Sequence, residues 1–457
     1  MKDISNKGKS KAILLLKFLL PSLIGIVLFM FPVTADGKVT IPIAILSSAI
    51  QKFLQEEMAL ILVILVSISF LGAVIVKAGK RIWKNSRLWE KGLIKSLFDV
   101  SPVWFVARAV AFIFVIFTYL EKGTKAIYSA DTGGLVFHDL LPILFTIFFL
   151  AGLFLPLLLN FGLLEFTGTL LIKVMRPVFG LPGRSAVDAI ASWLGDGTIG
   201  VLLTSKQYEE GFYTEKEACI IGTNFSLVSI TFSLVVVNTV GLSHLFIPFY
   251  LTITFACIIA AIIIPKLPPL SRKKNLLVDG SKPDVNEDIP KNMTGASYGL
   301  SLALDKVKDV KIFKAIFVDG AVNVLDMWIS VIPIVMAIGT TALILAEYTP
   351  IFRILGIPFM PLLSLLQIPE AAAASQTLFA GFADMLLPSV MIANVSSDLT
   401  RFVVAAVSVS QLIYLSEVGA LLLASKIPVK LSELFLIFIE RTLITLPIIA
   451  LIAHMIF

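Results

Sequence analysis

The chain has 457 residues, 58% of them hydrophobic and 15% charged, with a net charge of +6; a mean hydropathy of +0.96 excludes an ordinary soluble enzyme and describes a polytopic membrane protein. The positive charge lies in loops, where it reports orientation in the bilayer and argues little for nucleic acid, which is not expected as a partner. Cys219 and Cys257 fall in apolar runs, and with the scattered His138, His244 and His454 they give neither a disulfide framework nor metal-ligand spacing.

The tail up to Lys17 carries five lysines against one aspartate, which holds it in the cytoplasm and sends a first span, 11–31, outward. This run exceeds the usual h-region of a signal peptide, so it reads as a transmembrane helix even though Val33-Thr34-Ala35 mimics a cleavage site. Residues 40–54 are apolar but too short to span, and 58–76 crosses back. Lys77, Lys80, Arg81, Lys84, Arg87, Lys91 and Lys95 then face a lone Glu90. That loop is either a solvated charged segment or a helix lying on anionic lipid through Ile82, Trp83, Leu88 and Trp89.

Residues 103–120 cross outward and 140–161 inward. In 163–179 the polar residues Glu165, Thr169, Lys173 and Arg176 recur at spacings of four, four and three, as on one face of an interfacial helix. The next stretch, 181–205, reads LPGRSAVDAIASWLGDGTIGVLLTS. Each limb offers roughly half of the ~20 apolar residues that a span needs, so it is expected to be a re-entrant hairpin with Gly195-Asp196-Gly197 at its tip. Irregular backbone at that depth must be buried in protein or line a wet cavity, and an intramembrane aspartate is a functional candidate.

Residues 218–240 and 245–264 cross out and in, and 266–311, with nine basic and six acidic residues, reads as a flexible cytoplasmic linker. After a span over 312–345, the outer stretch 351–366 is interrupted by Gly356, Pro358 and Pro361. Residues 368–394, IPEAAAASQTLFAGFADMLLPSVMIAN, repeat the layout of the first hairpin with Ala383-Asp384 at the break. Spans over 399–423 and 431–457 close the chain. Three crossings separate the hairpins, so they enter from opposite faces, and two matched broken segments in an inverted-topology repeat point to a transporter's binding site. The expected fold is therefore all-α, with about nine transmembrane helices and two opposed re-entrant hairpins in the cell's inner membrane. Its parts are scaffold helices over 1–138, a first repeat over 139–265, the linker, and a second repeat over 312–457.

Asp196 and Asp384 lead the candidates. Gly195, Gly197 and Thr198 flank the first, and Gly381 and Pro388 lie near the second, so backbone groups freed at the breaks can bind solute or cation beside a carboxylate. The alternative is that each aspartate only caps the second limb. Asn224 and Ser226, and in the second half Ser408, Ser410 and Gln411, sit midway along apolar spans; they suit either a polar solute or interhelical hydrogen bonds worth about 0.6 kcal/mol each. Laying one half on the other matches Asn224 to Ser408 and Ser226 to Ser410, and Asp196 with Asn224 is the candidate seat for a coupling cation. Asp188 and Glu370, on the first limbs, are either solvated or functional. Asp319 and Asp326 lie seven apart on one helical face, while Glu440-Arg441 suggests an ion pair against a neighbouring helix. No phosphate loop, HExxH or serine elbow occurs, so the chain is not expected to be an enzyme.

LPGRSAVDAIASWLGDGTIGVLL, IPEAAAASQTLFAGFADMLLPSVMIAN and the N-terminal KFLLPSLIGIVLFMFPV followed by IPIAIL resemble the YjiH-type members of the nucleoside-recognition gate-domain superfamily. That superfamily includes the concentrative nucleoside transporters and the membrane domain of ferrous-iron transporters. The resemblance implies an elevator-type carrier driven by sodium ions or protons. It departs at the first tip, where the nucleoside carriers have Gln-Thr-Glu and this chain has Gly195-Asp196-Gly197-Thr198. The expected function is ion-coupled secondary transport of a small polar, nucleoside-like solute, with an amino acid or small peptide as the alternative. A non-transporting membrane component that needs a second gate-domain subunit remains a separate class. The expected partners are the solute and the lipid bilayer, with a homo-oligomer or second gate subunit, and no cofactor beyond a coupling Na+ or H+.

Overall fold

The computed structural model describes residues 2–31, 33–35, 38–82, 93–194, 197–226, 228, 230–283, 290, 292–308 and 310–457. Asp196, Gly195, Trp83 and Trp89 lie outside the described residues. Among the described residues seven helices are long and apolar enough to cross a bilayer: Ala12–Met30, Met58–Ile82, Pro102–Tyr119, Leu135–Leu159, Ser243–Lys266, Lys314–Tyr348 and Leu431–Ile456. Ile64, Ile75 and Leu451 remain exposed on them, apolar surface of the kind that hydrocarbon covers. The chain is thus a multi-pass helical membrane protein. A short antiparallel pair, Val33–Ala35 with Lys38–Thr40, adds strand structure where an all-α chain is expected.

The other two expected crossings, 218–240 and 399–423, are not continuous. The first is Glu215–Asn224 followed by Ile230–Thr239, and the second is Asp398–Ser410 followed by Val418–Ala424. Each starts on a side-chain cap. The Thr214 hydroxyl accepts from Glu217 N while the Glu217 carboxylate accepts from Thr214 N, and Ser397 Oγ accepts from Thr400 N. The first half-helix then runs for 10 residues and the second for 13. In the second interruption Leu412 has φ of +60°, which ends the helix.

Between these lie the short helices. Ser185–Leu194 packs against Gly197–Glu209, and a Cβ at Gly200 would stand 1.6 Å from Ser192 Oγ, so glycine is what lets the limbs touch. In the second half Ala371–Leu378 and Ala380–Ala383 are followed by Leu387–Ile392. The order of one helix, paired short helices, an interrupted helix and a long helix thus occurs over 163–266 and again over 351–456. Phe379 and Phe382 stack against Phe435 and Phe438 at centroid distances of 5.1–5.8 Å, which fixes the second pair of short helices to the last span.

Two expectations change. The polar face of Leu163–Phe179 turns in part toward protein: Glu165 pairs with Arg184 at 3.3 Å and Arg176 with Glu217 at 2.9 Å, while Lys173 on that face is exposed along with Leu170, Val174 and Val178. The 266–311 segment is not structureless throughout. Its Gly295–Val307 helix buries Ala303 and Val307 against Phe18, Leu157 and Phe161. Lys273 ties the same segment to Glu433 at 2.9 Å and Glu215 at 3.7 Å. Burial pulls the Lys273 ammonium down, but the bond to Glu433 and the two carboxylate charges outweigh it and leave its pKa above the usual lysine range.

Candidate functional site

A cavity of about 180 Å3 opens where the short-helix pairs, both helix interruptions and the Leu135–Leu159 span meet. Gly197 and Thr198 border it from the first pair and Met385 from the second. Ser226 and Val228 border it from the first interruption, Tyr414 and Glu417 from the second. Leu140, Ile143, Leu144 and Ile147 form the opposite wall, a helical spacing that presents one face of the span. The lining is apolar with a few convergent polar groups, the usual character of a small-molecule site. The volume is below the roughly 300–1,000 Å3 of drug-sized pockets and suits a small solute.

The second short-helix pair is stitched to the second interruption. Leu415 N donates to Phe382 O at 2.8 Å and Ser416 N to Ala383 O at 2.9 Å, so backbone groups freed from one helix are satisfied by the other. Asp384 completes this joint: one carboxylate oxygen accepts from Leu386 N at 2.8 Å and the other from Ser416 Oγ at 2.9 Å. Gln411 donates to Leu378 O and Thr442 Oγ1, and a Cβ at Gly381 would stand 2.1 Å from its Oε1.

Of the residues the sequence singles out, Gly197, Thr198 and Ser226 border the cavity, Asp384 is adjacent to it through Met385, and Gly195 and Asp196 lie outside the described residues. Glu370 is elsewhere, exposed and accepting from Ser396 Oγ. Ser408 bonds to Ala405 O within its own helix, while Ser410 Oγ reaches Thr445 Oγ1 at 3.0 Å. Asn224 lies behind the cavity, where its Oδ1 accepts from Arg441 Nη1 at 2.9 Å, so a guanidinium sits on the oxygen expected to face a coupling cation. The half-helix ends that meet at Arg441 are Asn224, through its side chain, and Ser410, through its backbone carbonyl. Asp188 is buried and accepts three bonds, from Gln207, Thr204 and Tyr213. Among the described residues no group of three or more His, Cys, Asp or Glu side chains could hold a metal ion.

One residue escapes the sequence reading, and another is read there with the wrong kind of partner. Glu417 is half-buried in the cavity wall, and the rule that singles out an intramembrane aspartate applies to it equally. Arg441 is expected from its neighbour Glu440 to be half of an ion pair, yet it has no carboxylate partner within 4 Å among the described residues.

Residues 141–243, which hold the first short-helix pair and the first interruption, match the Gate family, described as nucleoside recognition. An uncharacterized protein of Alkalihalophilus pseudofirmus is 49% identical over 442 residues, covering 97% of this chain and 95% of its own length. The chain belongs to the Gate, nucleoside-recognition, family. No solved structure matches it. Within this Gate protein the matched residues supply the cavity's span face apart from Leu140, its first short-helix pair and its first interruption, and 385–418 supplies the rest.

Proposed function

We propose that this Gate protein is a secondary transporter, coupled to Na+ or H+, that carries a small polar, nucleoside-like solute across the inner membrane with its N-terminus in the cytoplasm. The observation that carries the reading is the cavity at which both short-helix pairs and both helix interruptions converge, the arrangement expected of a transporter site built from discontinuous helices. In this reading the short-helix pairs are re-entrant hairpins of an inverted repeat, divided as 139–265 and 312–457, with 1–138 as scaffold. The hairpins and interrupted helices move as a body along the Leu135–Leu159 face. A second cavity, of about 80 Å3, supports such a track because Ala151, Leu155 and Leu159 continue the face that Leu140, Leu144 and Ile147 begin. Asp319, Asp326, Lys206 and Glu209 border that region or the cavity beside it and give it a wet, charged end.

Solute contacts are assigned to Gly195, Asp196, Gly197, Thr198, Ser226 and Glu417, with Asp384 holding the second tip in place. Glu417 favours an amine-bearing solute as the second reading, an amino acid or small peptide. The test is a thermal-shift screen of the purified protein against nucleosides, amino acids and dipeptides with sodium and pH varied. A ligand at 100 times its dissociation constant adds about 2.7 kcal/mol. Stabilisation by one class with matching uptake into proteoliposomes is the expected result; no response to any class, and no uptake, would favour a non-transporting subunit.

A further inference from the structure

Arg441 lies in the middle of the Leu431–Ile456 span with no exposed surface, and each of its three guanidinium nitrogens is hydrogen-bonded without an acid among the described residues. Nε and Nη2 donate to Ser410 O at 3.0 and 2.9 Å, Nη1 donates to Asn224 Oδ1 at 2.9 Å, and Nη2 reaches Cys257 Sγ at 3.5 Å. Ser410 and Asn224 are the last residues of the two half-helices, one from each half of the chain. A helix C-terminus is equivalent to roughly half a negative charge, and here the guanidinium meets the Ser410 backbone carbonyl at one such end and the Asn224 side-chain oxygen on the last residue of the other, so the two ends offset its charge in place of a carboxylate. A buried arginine is otherwise costly, and this pairing explains how it is held.

We propose that Arg441 is a built-in cation, seated where the two interrupted helices end and holding in covalent form the position that half-helix ends and unwound carbonyls offer to a mobile cation. Discontinuous transporter helices coordinate Na+ or H+ with such ends. No inorganic cation then enters this seat, and any coupling ion acts elsewhere. That consequence rests on the transport reading, whereas the seat itself does not. The test therefore reads stability rather than uptake, so the two readings fail separately.

Arg441→Ala vacates the guanidinium volume beside an apolar cavity of about 200 Å3 that Asn224 and Cys257 help to line, which gives a small probe a way in. Full-length wild type, Arg441→Ala and Arg441→Lys are melted in detergent with equal millimolar guanidinium chloride, urea, sodium chloride or choline chloride. Wild type is expected to melt at one temperature in all four. Arg441→Ala is expected to melt several degrees lower and to recover with guanidinium or sodium but not with urea or choline, while Arg441→Lys loses less. Equal losses for Ala and Lys without cation recovery, or recovery by neutral urea as large as by guanidinium, would overturn the proposal and leave a packing role. Should Arg441→Ala fail to fold, Arg441→Lys and Arg441→Gln decide: the charged lysine is expected to melt several degrees above the neutral glutamine, and a glutamine variant as stable as the lysine one refutes the built-in cation.

Discussion

Asp188 offers the sharpest test of what holds the first short-helix pair together. Its Oδ1 accepts from Gln207 Nε2 at 2.6 Å, and its Oδ2 accepts from both Thr204 Oγ1 and Tyr213 OH at 3.0 Å. Because it bridges the first limb, the second limb and the turn beyond, Asp188→Ala strips an acceptor from three buried donors. Thr204 can rotate to the carbonyl four residues back in its own helix, but Gln207 and Tyr213 are left unsatisfied. At about 1–3 kcal/mol for each, the expected loss is about 2–6 kcal/mol. Asp188→Asn behaves differently. Its oxygen can keep Thr204 and Tyr213, and its amide can donate to Gln207 Oε1, a buried atom without a partner, once that side chain flips. What remains is the exchange of charge-assisted bonds for neutral ones, about 1–2 kcal/mol in all. Thermal and denaturant melting in detergent reads the difference. Equal stability of the Ala and Asn variants would refute the claim that this carboxylate locks the pair.

Gly200→Ala should destabilise by about 1–3 kcal/mol and recover in part with Ser192→Ala, because the nearest atom is a serine hydroxyl. Gly356→Ala should not be relieved by any side-chain change, since its Cβ would stand 1.9 Å from the backbone carbonyl of Ser375; melting of the single and double variants checks both. A cysteine placed between 206 and 216 should be labelled only from the cytoplasm and one at Ser396 or Ser397 only from outside, against a low background from the buried Cys219 and Cys257; labelling of both from one side would end the inverted-repeat reading. Deleting 279–292 should change melting little, because it spares both the Lys273–Glu433 pair and the Gly295–Val307 helix and loop length alters closure entropy slowly. Asp384→Asn should keep the bond from Leu386 N through its oxygen and replace the other by donating its amide to Ser416 Oγ, so loss of uptake in a variant of unchanged stability would assign Asp384 to the solute rather than to the joint.

Features that depend on length and hydrophobic period are legible in the sequence. Limbs too short to span mark both short-helix pairs, and the 163–179 helix has its expected bounds because Gly162 and Gly180, at positive φ, end it on either side. The partners of that helix are not legible in the same way, since Glu165 and Arg176 find theirs on Arg184 and Glu217, 19 and 41 residues further along the chain. The interruptions are hidden for a different reason. The run Leu412–Ile413–Tyr414–Leu415 is as apolar as its neighbours, and it leaves the helix because Leu415 and Ser416 find backbone partners on Phe382 and Ala383, a decision taken some thirty residues away in the chain. Arg441 inherits that difficulty. A search for its partner among carboxylates finds Glu440, which points in another direction around the helix. Its partners are the Ser410 carbonyl and the Asn224 side chain, on the last residues of two half-helices, together with Cys257 Sγ, and they meet at the guanidinium only because tertiary contacts broke the helices.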